Sequence, residues 1–370
     1  MEKKLILTIA ILVIASVLAA GCTTGDTKQV QDTKDLQNMT GLYVPAPVSY
    51  SLNGNYSIVS FVGYFKDSGF SYEPFSDEIV ISGQNDRLFS MTDSYGTSYY
   101  AVYDRAGTLL TSYSAKNSTE PWQIYGQIVS DSEIRMAFTG ILDGSLCADA
   151  YTLVKDGREA SLVSYPDLTG TWDVSQSKYG SKNMTVVKMD GPVFYGSYSI
   201  MTDNVLTKYD FAGAVYAVDQ STVYAICYDE EGDLGKIKVS GEELVWDWIN
   251  EDGAFSDVHV KSKATVSESV SPELTDISGD YKDQYYAEIY ADGFEKDYSD
   301  YTWSLRKTGN GIYINVNNGT DIGFFHQYPD SSVFFTDNGY YYNGWIEDGV
   351  IYSFVADEEG ADMYVSPRIK

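Results

Sequence analysis

The sequence has few of the residues on which most catalytic and metal sites depend. It contains 3 cysteines and 2 histidines among 370 residues. The Cys-x-x-Cys and Cys/His spacings of zinc sites, the Gly-x-Ser-x-Gly elbow of serine hydrolases and the EF-hand spacing are all absent. His259 and His326 lie in non-equivalent parts of the chain, which disfavours a Ser-His-Asp or Cys-His arrangement. We therefore expect a non-enzymatic protein without a cofactor.

Basic residues are also scarce. The chain has 25 Lys and Arg against 53 Asp and Glu, which gives a formal net charge of -28. Such a balance repels nucleic acid and anionic lipid headgroups. We interpret it mainly as a solvated acidic surface, with structural calcium as the alternative, because oxygen-rich acidic turns can hold that ion. The candidate calcium ligands are Asp229, Glu231, Asp233, Asp357 and Glu359. These residues form two acidic groups that each adjoin a glycine between two apolar runs, so a hairpin turn is the favoured interpretation of both groups.

Only one long apolar run occurs, and it lies at the amino terminus. Lys3 and Lys4 precede an uncharged segment from Leu5 to about residue 17, and small residues precede Cys22. The run is shorter than the roughly 20 residues that a membrane span needs. This segment resembles a lipoprotein signal peptide of the bacterial and archaeal lipobox type. The resemblance implies cleavage before Cys22, lipidation of its thiol, and anchoring to the outer face of the cytoplasmic membrane or the cell envelope. Residues 1–22 are then the signal peptide and anchor, and the polar residues 23–39 form a flexible tether.

Beyond the signal peptide, no window has the 3.6-residue apolar period of an amphipathic helix. Apolar residues instead alternate with polar ones, as in Ile312, Ile314 and Val316, and glycine-containing turns recur every 8 to 12 residues or so. These patterns predict an all-β protein of antiparallel hairpins. Its modules must close into barrels or stack as sandwiches to cover their apolar faces and edges. Both architectures remain open at this stage.

A recurring opening divides the chain into three modules. An apolar residue, Ser or Thr, Gly, any residue and an aromatic occur around Gly41, Gly170 and Gly279. The predicted modules cover residues 40–160, 167–263 and 275–370. The second and third copies agree best downstream of this opening. A propeller is disfavoured because its blades are only about 40 residues long.

The Gly170-Thr171-Trp172 opening resembles the Gly-x-Trp that begins the first strand of lipocalins and avidin-like barrels. That resemblance implies a meander barrel. The acidic, tyrosine-rich modules with repeated openings also resemble uncharacterised surface proteins of methanogenic archaea, a resemblance that implies no known activity.

Export would also affect the cysteines and the asparagines in glycosylation sequons. If Cys22 is lipidated, Cys147 and Cys227 remain, and we favour two buried free thiols over a disulfide because they fall in different modules. Five Asn-x-Ser/Thr sequons are glycosylation candidates outside the cell. They are Asn38, Asn55, Asn117, Asn183 and Asn318.

Aromatic clusters are the best indication of a binding surface. Tyr and Trp offer stiff, amphipathic contact area for sugars or protein side chains, although strands also prefer them. The clusters are Tyr285, Tyr286, Tyr290, Tyr298, Tyr301 and Trp303, followed by Tyr340, Tyr341 and Tyr342. We therefore expect a surface lipoprotein with an adhesive, structural or ligand-binding role toward carbohydrate or an envelope protein. The alternative is an extracellular polysaccharide hydrolase that uses two carboxylates.

Overall fold

The described part of the chain is built from strands alone. The computed structural model describes residues 50–369, except positions 75, 86, 114–121, 156, 178–179, 203, 251–252, 263–272, 291–292, 329–330, 338–339 and 357–359. Every regular element there is a β-strand, so the predicted all-β class is confirmed. The predicted signal peptide, the tether and Cys22 lie outside the described residues. Within the same described ranges, no helix is long and apolar enough to cross a bilayer.

The first barrel, barrel 1, contains nine strands. They are β1 (Gly54–Phe65), β2 (Gly69–Ser71), β3 (Glu78–Asn85), β4 (Leu88–Asp93), β5 (Ser98–Tyr103), β6 (Thr108–Tyr113), β7 (Trp122–Ser130), β8 (Glu133–Leu142) and β9 (Ser145–Lys155). β1 pairs with β3 through its first residues and with β9 through the rest of its length. Eight antiparallel strands therefore close on themselves, and β2 extends outward as the partner of the end of β1.

Barrel 2 is a closed meander of eight strands. They are β10 (Gly170–Gln176), β11 (Ser181–Asp190), β12 (Val193–Thr202), β13 (Val205–Asp219), β14 (Thr222–Asp229), β15 (Leu234–Ser240), β16 (Glu243–Asn250) and β17 (Gly253–Lys261). Apolar side chains fill it, with Trp172, Trp246 and Trp248 in one continuous core cluster. The choice between barrel and sandwich is thus settled in favour of barrels.

Barrel 3 has the same meander but a divided first strand. Its strands are β18 (Gly279–Lys282), β19 (Tyr285–Tyr290), β20 (Gly293–Tyr298), β21 (Thr302–Gly309), β22 (Ile312–Asn317), β23 (Thr320–Gln327), β24 (Ser332–Asp337), β25 (Tyr340–Glu347), β26 (Val350–Ala356) and β27 (Gly360–Pro367). β18 pairs with β21, whereas β19 pairs with β27 and carries β20 as an outer partner. An isolated bridge between Tyr281 and Arg368 joins β18 to the residue that follows β27.

Each barrel begins with a glycine that has a positive φ. These glycines are Gly54 (147°), Gly170 (119°) and Gly279 (142°). Non-glycine residues rarely adopt this region. A Cβ atom at Gly54 would lie 2.4 Å from Lys155 Cε, and one at Gly279 would lie 2.7 Å from Arg368 Nε. The backbone conformation therefore requires glycine at the start of each barrel, and in barrels 1 and 3 a basic side chain packs closely against it.

The aromatic residue two positions after each glycine anchors the start of the barrel. Its polar atom donates a hydrogen bond to the carbonyl oxygen four residues earlier. The pairs are Tyr56 to Leu52 (2.9 Å), Trp172 to Leu168 (3.0 Å) and Tyr281 to Ile277 (2.7 Å). In barrels 1 and 2 the basic residue of the last strand lies over this ring, with Lys155 Nζ 5.9 Å from the Tyr56 centroid and Lys261 Nζ 5.3 Å from that of Trp172.

The first predicted opening, at Gly41, lies outside the described residues. Within the described chain, Gly54 occupies the position equivalent to Gly170 and Gly279. The sequence pattern missed it because Asn53 stands where the other two openings have Thr or Ser.

Barrels 1 and 3 are joined by a buried ion pair. Arg87 donates to both carboxylate oxygens of Glu347, at 2.9 and 3.2 Å, and both residues are buried. The Arg87 guanidinium also lies 5.6 Å from the ring centroid of Trp345. Because removing one member of such a pair leaves an unpaired buried charge, this contact holds the two barrels in one arrangement.

All three barrels meet around Lys236 of barrel 2. Its ammonium lies 5.1 Å from the ring centroid of Tyr125 in barrel 1 and 4.7 Å from that of Tyr328 in barrel 3. It donates to Ser332, and the hydroxyl of Tyr125 donates to Asn343. The junction is therefore polar, and it serves to hold the barrels together.

Candidate functional site

The calcium candidates in the described ranges do not come together in a group of three or more carboxylates. Asp229 is fully buried, and its Oδ1 accepts the backbone N–H groups of Glu231, Gly232 and Asp233 at 2.9 to 3.0 Å. The hydroxyl of Tyr198 donates to the other oxygen. Burial raises the pKa of Asp229 despite these four hydrogen bonds. Its carboxylate is thus used to close the turn between β14 and β15.

The structure adds no support for calcium binding by the remaining acidic candidates. Glu231 is exposed on that turn, whereas Asp357 and Glu359 lie outside the described residues. No group of three or more His, Cys, Asp or Glu side chains suited to a metal ion occurs in the described ranges.

The cysteines and histidines are separate, buried residues. Cys147 and Cys227 are both free thiols, and burial raises the pKa of Cys227 well above its usual value. His326 lies in barrel 3, where burial and the charge of Lys236 lower its pKa to about 3. His259 lies in barrel 2, and burial lowers its pKa against the opposing charge of Asp257.

A serine, an aspartate and a histidine do come together inside barrel 2. Ser181 and Trp248 donate to the same oxygen of Asp257, and His259 lies two residues along the same strand. The order differs from that of a catalytic triad, because the serine contacts the aspartate and not the histidine. At most 5% of any of Ser181, Asp257 and His259 is exposed. The cluster is therefore shut inside a filled barrel.

Three of the predicted sequons are accessible. Asn55, Asn183 and Asn318 are exposed, and Asn38 and Asn117 lie outside the described residues.

The predicted aromatic clusters divide between core and surface. Tyr285 and Trp303 are buried, whereas Tyr290, Tyr298 and Tyr301 are 38%, 58% and 43% exposed. Tyr286, Tyr340 and Tyr342 are half-buried, and the side chain of Tyr341 lies outside the described residues. The exposed and half-buried tyrosines concentrate at the end of barrel 3 where the first strand divides.

The two faces of β19 have different environments. Tyr285, Ala287 and Ile289 are buried on one face, and Ile289 Cδ1 lies next to Gly83 of barrel 1. Tyr286, Glu288 and Tyr290 alternate with them and therefore point to the opposite face.

This second face continues the interior of barrel 3, because Tyr286 pairs with Tyr364, whose ring contacts the interior residue Tyr342. We call the six residues at this open end the barrel 3 mouth. They are Tyr286, Glu288, Tyr290, Tyr342, Asp362 and Tyr364.

A row of aromatic rings connects the core of barrel 3 to the mouth. The successive centroid distances are 4.9 Å from Tyr281 to Trp303, 6.3 Å from Trp303 to Phe335, 4.8 Å from Phe335 to Tyr342, 6.4 Å from Tyr342 to Tyr364, and 6.0 Å from Tyr364 to Tyr286. The row begins in the core and ends on half-buried tyrosines. It therefore gives a ligand at the mouth a rigid aromatic wall, which costs little conformational entropy to present.

Three carboxylates lie side by side across the mouth. Glu288 of β19 stands directly opposite Glu295 of β20 on one side and Asp362 of β27 on the other. Directly opposed side chains on antiparallel strands have Cβ atoms about 5 Å apart. Burial and the negative charges of Glu295 and Asp297 raise the pKa of Glu288, although a hydrogen bond with Tyr290 opposes them. The row is therefore a place of concentrated, partly desolvated negative charge.

A fourth carboxylate lies where the first strand divides. Asp283 is buried between β18 and β19, and its Oδ1 accepts hydrogen bonds from Trp303 Nε1 at 2.9 Å and from Ser366 at 2.7 Å. Burial raises its pKa. Asp283 thus fixes Trp303, the second ring of the aromatic row, and couples the divided strand to the mouth.

The sequence patterns missed the acidic half of this site. Glu288, Asp362 and Asp283 lie within or between strands, whereas the calcium candidates predicted from the sequence lie in or beside glycine-containing turns. A usable signal was present, since Tyr286-x-Glu288-x-Tyr290 and Asp362-x-Tyr364 place their members on one face of a strand. Their meeting depends on the pairing of β19 with β27, which no local pattern specifies.

No protein-family model matches the chain, and no curated protein matches it either. Among solved structures, a protein of unknown function from the DUF3598 family of Nostoc punctiforme is 9% identical with a TM-score of 0.24, over 86% of this chain and 96% of that one. A Trp-176-Ala mutant of transferrin binding protein B from Haemophilus parasuis is 9% identical with a TM-score of 0.18, over 88% and 77%. The same protein from Neisseria meningitidis is 10% identical with a TM-score of 0.14, over 81% and 61%. These similarities are too low to support a functional conclusion.

Proposed function

We propose that this protein is an exported, lipid-anchored binding protein without catalytic activity, and that it captures carbohydrate or an envelope protein through the barrel 3 mouth. The observation that carries the proposal is the mouth itself. In the described chain, a continuous row of aromatic rings reaches the surface there beside neighbouring carboxylates. Barrel mouths are common ligand sites because the wall is rigid and concave.

The proposed localisation of the protein rests on the sequence alone. The apolar run and the small residues before Cys22 support lipidation of that thiol and attachment to the outside of the cell. The tether at residues 23–39 would then let the barrels stand away from the membrane.

A second candidate function, polysaccharide hydrolysis, is favoured by one observation. Glu288 has a raised pKa and stands beside Asp362, and glycosidases use one protonated and one ionised carboxyl group. Against it, these carboxyl groups project in parallel from neighbouring strands, whereas glycosidase carboxyl groups flank the bond that is cleaved. Binding is therefore the better-supported function.

The proposal is tested by screening the full-length chain, in nonionic detergent, on a glycan array and an envelope-protein extract, with a panel of glycosidase substrates in parallel. We expect retention of at least one ligand class, loss of that retention in Tyr342→Ala, and no turnover. The exposed Tyr95→Ala variant of barrel 1 is the matched control. Turnover that disappears in Glu288→Gln would establish the hydrolase instead.

A further inference from the structure

We propose that the ligand group held in the barrel 3 mouth is a primary alkylammonium ion, presented either by a free polyamine or by a lysine side chain. This inference rests on the proposed function, since it names the chemistry that the same mouth would recognise. It follows from the charge, the aromatic lining and one unsatisfied acceptor inside the barrel.

The charge at the mouth lacks a cationic partner at its central positions. Glu288 and Glu295 are directly opposed, and like charges in that arrangement destabilise a sheet. Within the described chain, neither of these two side chains has a lysine, arginine or histidine at ion-pair distance. A bound cation would supply the missing compensation, and the partial burial of Glu288 would make that interaction stronger than one in bulk water.

The tyrosines suit a cation as well. Tyr286 and Tyr290 flank Glu288 on the same face of β19, so a cation beside its carboxylate would also contact aromatic ring faces. The protein itself offers an example on the other face of this hairpin, where Lys296 Nζ lies 3.9 Å from the ring centroid of Tyr285. An ammonium group at the mouth would repeat this contact with carboxylates added.

An independent observation comes from Asn315 on another wall of the barrel 3 interior. Asn315 is directly opposite the core residue Leu305, so its side chain points inward, and only 2% of it is exposed. Its Oδ1 is buried and accepts no hydrogen bond from the described chain. A buried acceptor without a donor is costly. It lies two residues below Asn317, which is hydrogen-bonded to the exposed Tyr301 at the rim.

These features together select for N–H donors that carry a positive charge. Carboxylates and an amide oxygen are acceptors, so a neutral sugar would satisfy the acceptors but leave the like charges opposed. A quaternary ammonium ion would reduce the repulsion but donate no hydrogen bond. A primary alkylammonium ion does both, and its alkyl stem can lie along the aromatic row.

The test is isothermal titration calorimetry of the full-length chain in nonionic detergent. It is carried out at low and at physiological ionic strength. The probes are spermidine and the peptide acetyl-Gly-Lys-Gly-amide, with acetyl-Gly-norleucine-Gly-amide as the uncharged analogue. The variants are Glu288→Gln, which removes one charge without changing shape, and Glu78→Gln, which removes an exposed strand charge in barrel 1. We expect Glu288→Gln to weaken binding about tenfold, as one lost charge-assisted contact would, and Glu78→Gln to leave it unchanged.

Each result has a distinct meaning. Binding of spermidine alone, or of the lysine peptide alone, supports the inference and identifies the source of the ammonium group. Equal affinity in the wild type, Glu288→Gln and Glu78→Gln would overturn it, because the chain would then attract cations only through its overall charge. Binding of a neutral oligosaccharide that is lost in Tyr342→Ala, without any cation binding, would overturn this inference and leave the proposed function standing. Failure of all probes and of the array would overturn both.

Discussion

Barrels 2 and 3 share a strand order and an opening motif, but they differ in how they treat polar groups inside the barrel. In barrel 2 the Asp229 carboxylate accepts four hydrogen bonds, and Asp257 accepts two from Ser181 and Trp248. In barrel 3 the carboxylate of Glu288 faces two other acidic residues at a partly open end. The comparison teaches that one scaffold can use inward-pointing carboxylates either to close a barrel or to line an opening.

The divided first strand explains this difference. In barrel 2, β10 runs without interruption from its partner β11 to its partner β17, with a bulge near its end. In barrel 3 the chain turns aside at Asp283, so β19 follows β27 outward and adds β20. Barrel 1 has the same kind of extension in β2. The first and third barrels are therefore alike in carrying an outer strand, and the second barrel lacks one.

The largest expected effect is in the closed barrel. Trp172→Ala removes a 1% exposed ring and its hydrogen bond to Leu168, so the free energy of unfolding should fall by about 4 kcal/mol. Chemical denaturation measures this loss. Ligand binding at the barrel 3 mouth should survive in the folded fraction, and its disappearance would show that the two barrels do not have separate roles.

The second largest expected loss of stability concerns the turn between β14 and β15 of barrel 2. Asp229→Ala leaves three backbone N–H groups and the Tyr198 hydroxyl without their acceptor, which should cost about 3 kcal/mol of unfolding free energy. Asp229→Asn keeps an oxygen acceptor and should cost less. If Asp229→Ala were neutral in denaturation experiments, the carboxylate would not be the element that closes this barrel.

The third effect extends the comparison to barrel 1, where Asp149 of β9 is buried and its Oδ1 has no hydrogen-bond partner in the described chain. Burial raises the pKa of Asp149 to about 7. Because the folded-state pKa lies above the unfolded value of about 3.9, the stabilising contribution is complete below that value and is lost as pH rises through 7.

Asp149→Asn should therefore match the wild type in stability near pH 4 and exceed it near pH 8, by a difference on the order of 2 kcal/mol. Thermal unfolding across this pH range provides the measurement. A constant difference between the two proteins at all pH values would contradict a titrating Asp149.

The smallest expected change in unfolding free energy is a stabilisation, opposite in sign to the loss expected at Asp229. Glu288→Gln removes repulsion between directly opposed acidic residues and should stabilise the protein by about 0.5 kcal/mol in denaturant titrations. The gain should shrink at high salt as the charges are screened. A clear destabilisation would mean that Glu288 has a structural role like that of Asp229.

The sequence predicted the parts of this molecule that depend on local pattern. Alternation such as that of Ile312, Ile314 and Val316 predicted strands, and the glycine–aromatic openings at Gly170 and Gly279 marked the start of two barrels. The opening at Gly54 does not fit the pattern of the other two, because Asn53 stands where they have Ser or Thr. The backbone requires the glycine and the aromatic but tolerates several polar residues between the apolar residue and the glycine.

The site was predicted in its aromatic half only. Tyrosines cluster visibly along the chain, but their division into buried Tyr285 and accessible Tyr286 depends on which face of β19 packs on barrel 1. The acidic half depends on pairing between β19 and β27, which are separated by most of the module. Such long-range pairing is set by how the whole barrel closes, so composition and spacing could not reveal it.

The most direct test of an open third barrel and a closed second one is chemical labelling of tyrosine rings in the full-length chain, with mass spectrometry to locate the label. We predict labelling of Tyr286, Tyr290 and Tyr301, protection of Tyr286 and Tyr290 by spermidine, and no labelling of Tyr198, which is 6% exposed in barrel 2. Labelling of Tyr198 at the rate of Tyr290, or labelling at the mouth that no ligand reduces, would contradict the account.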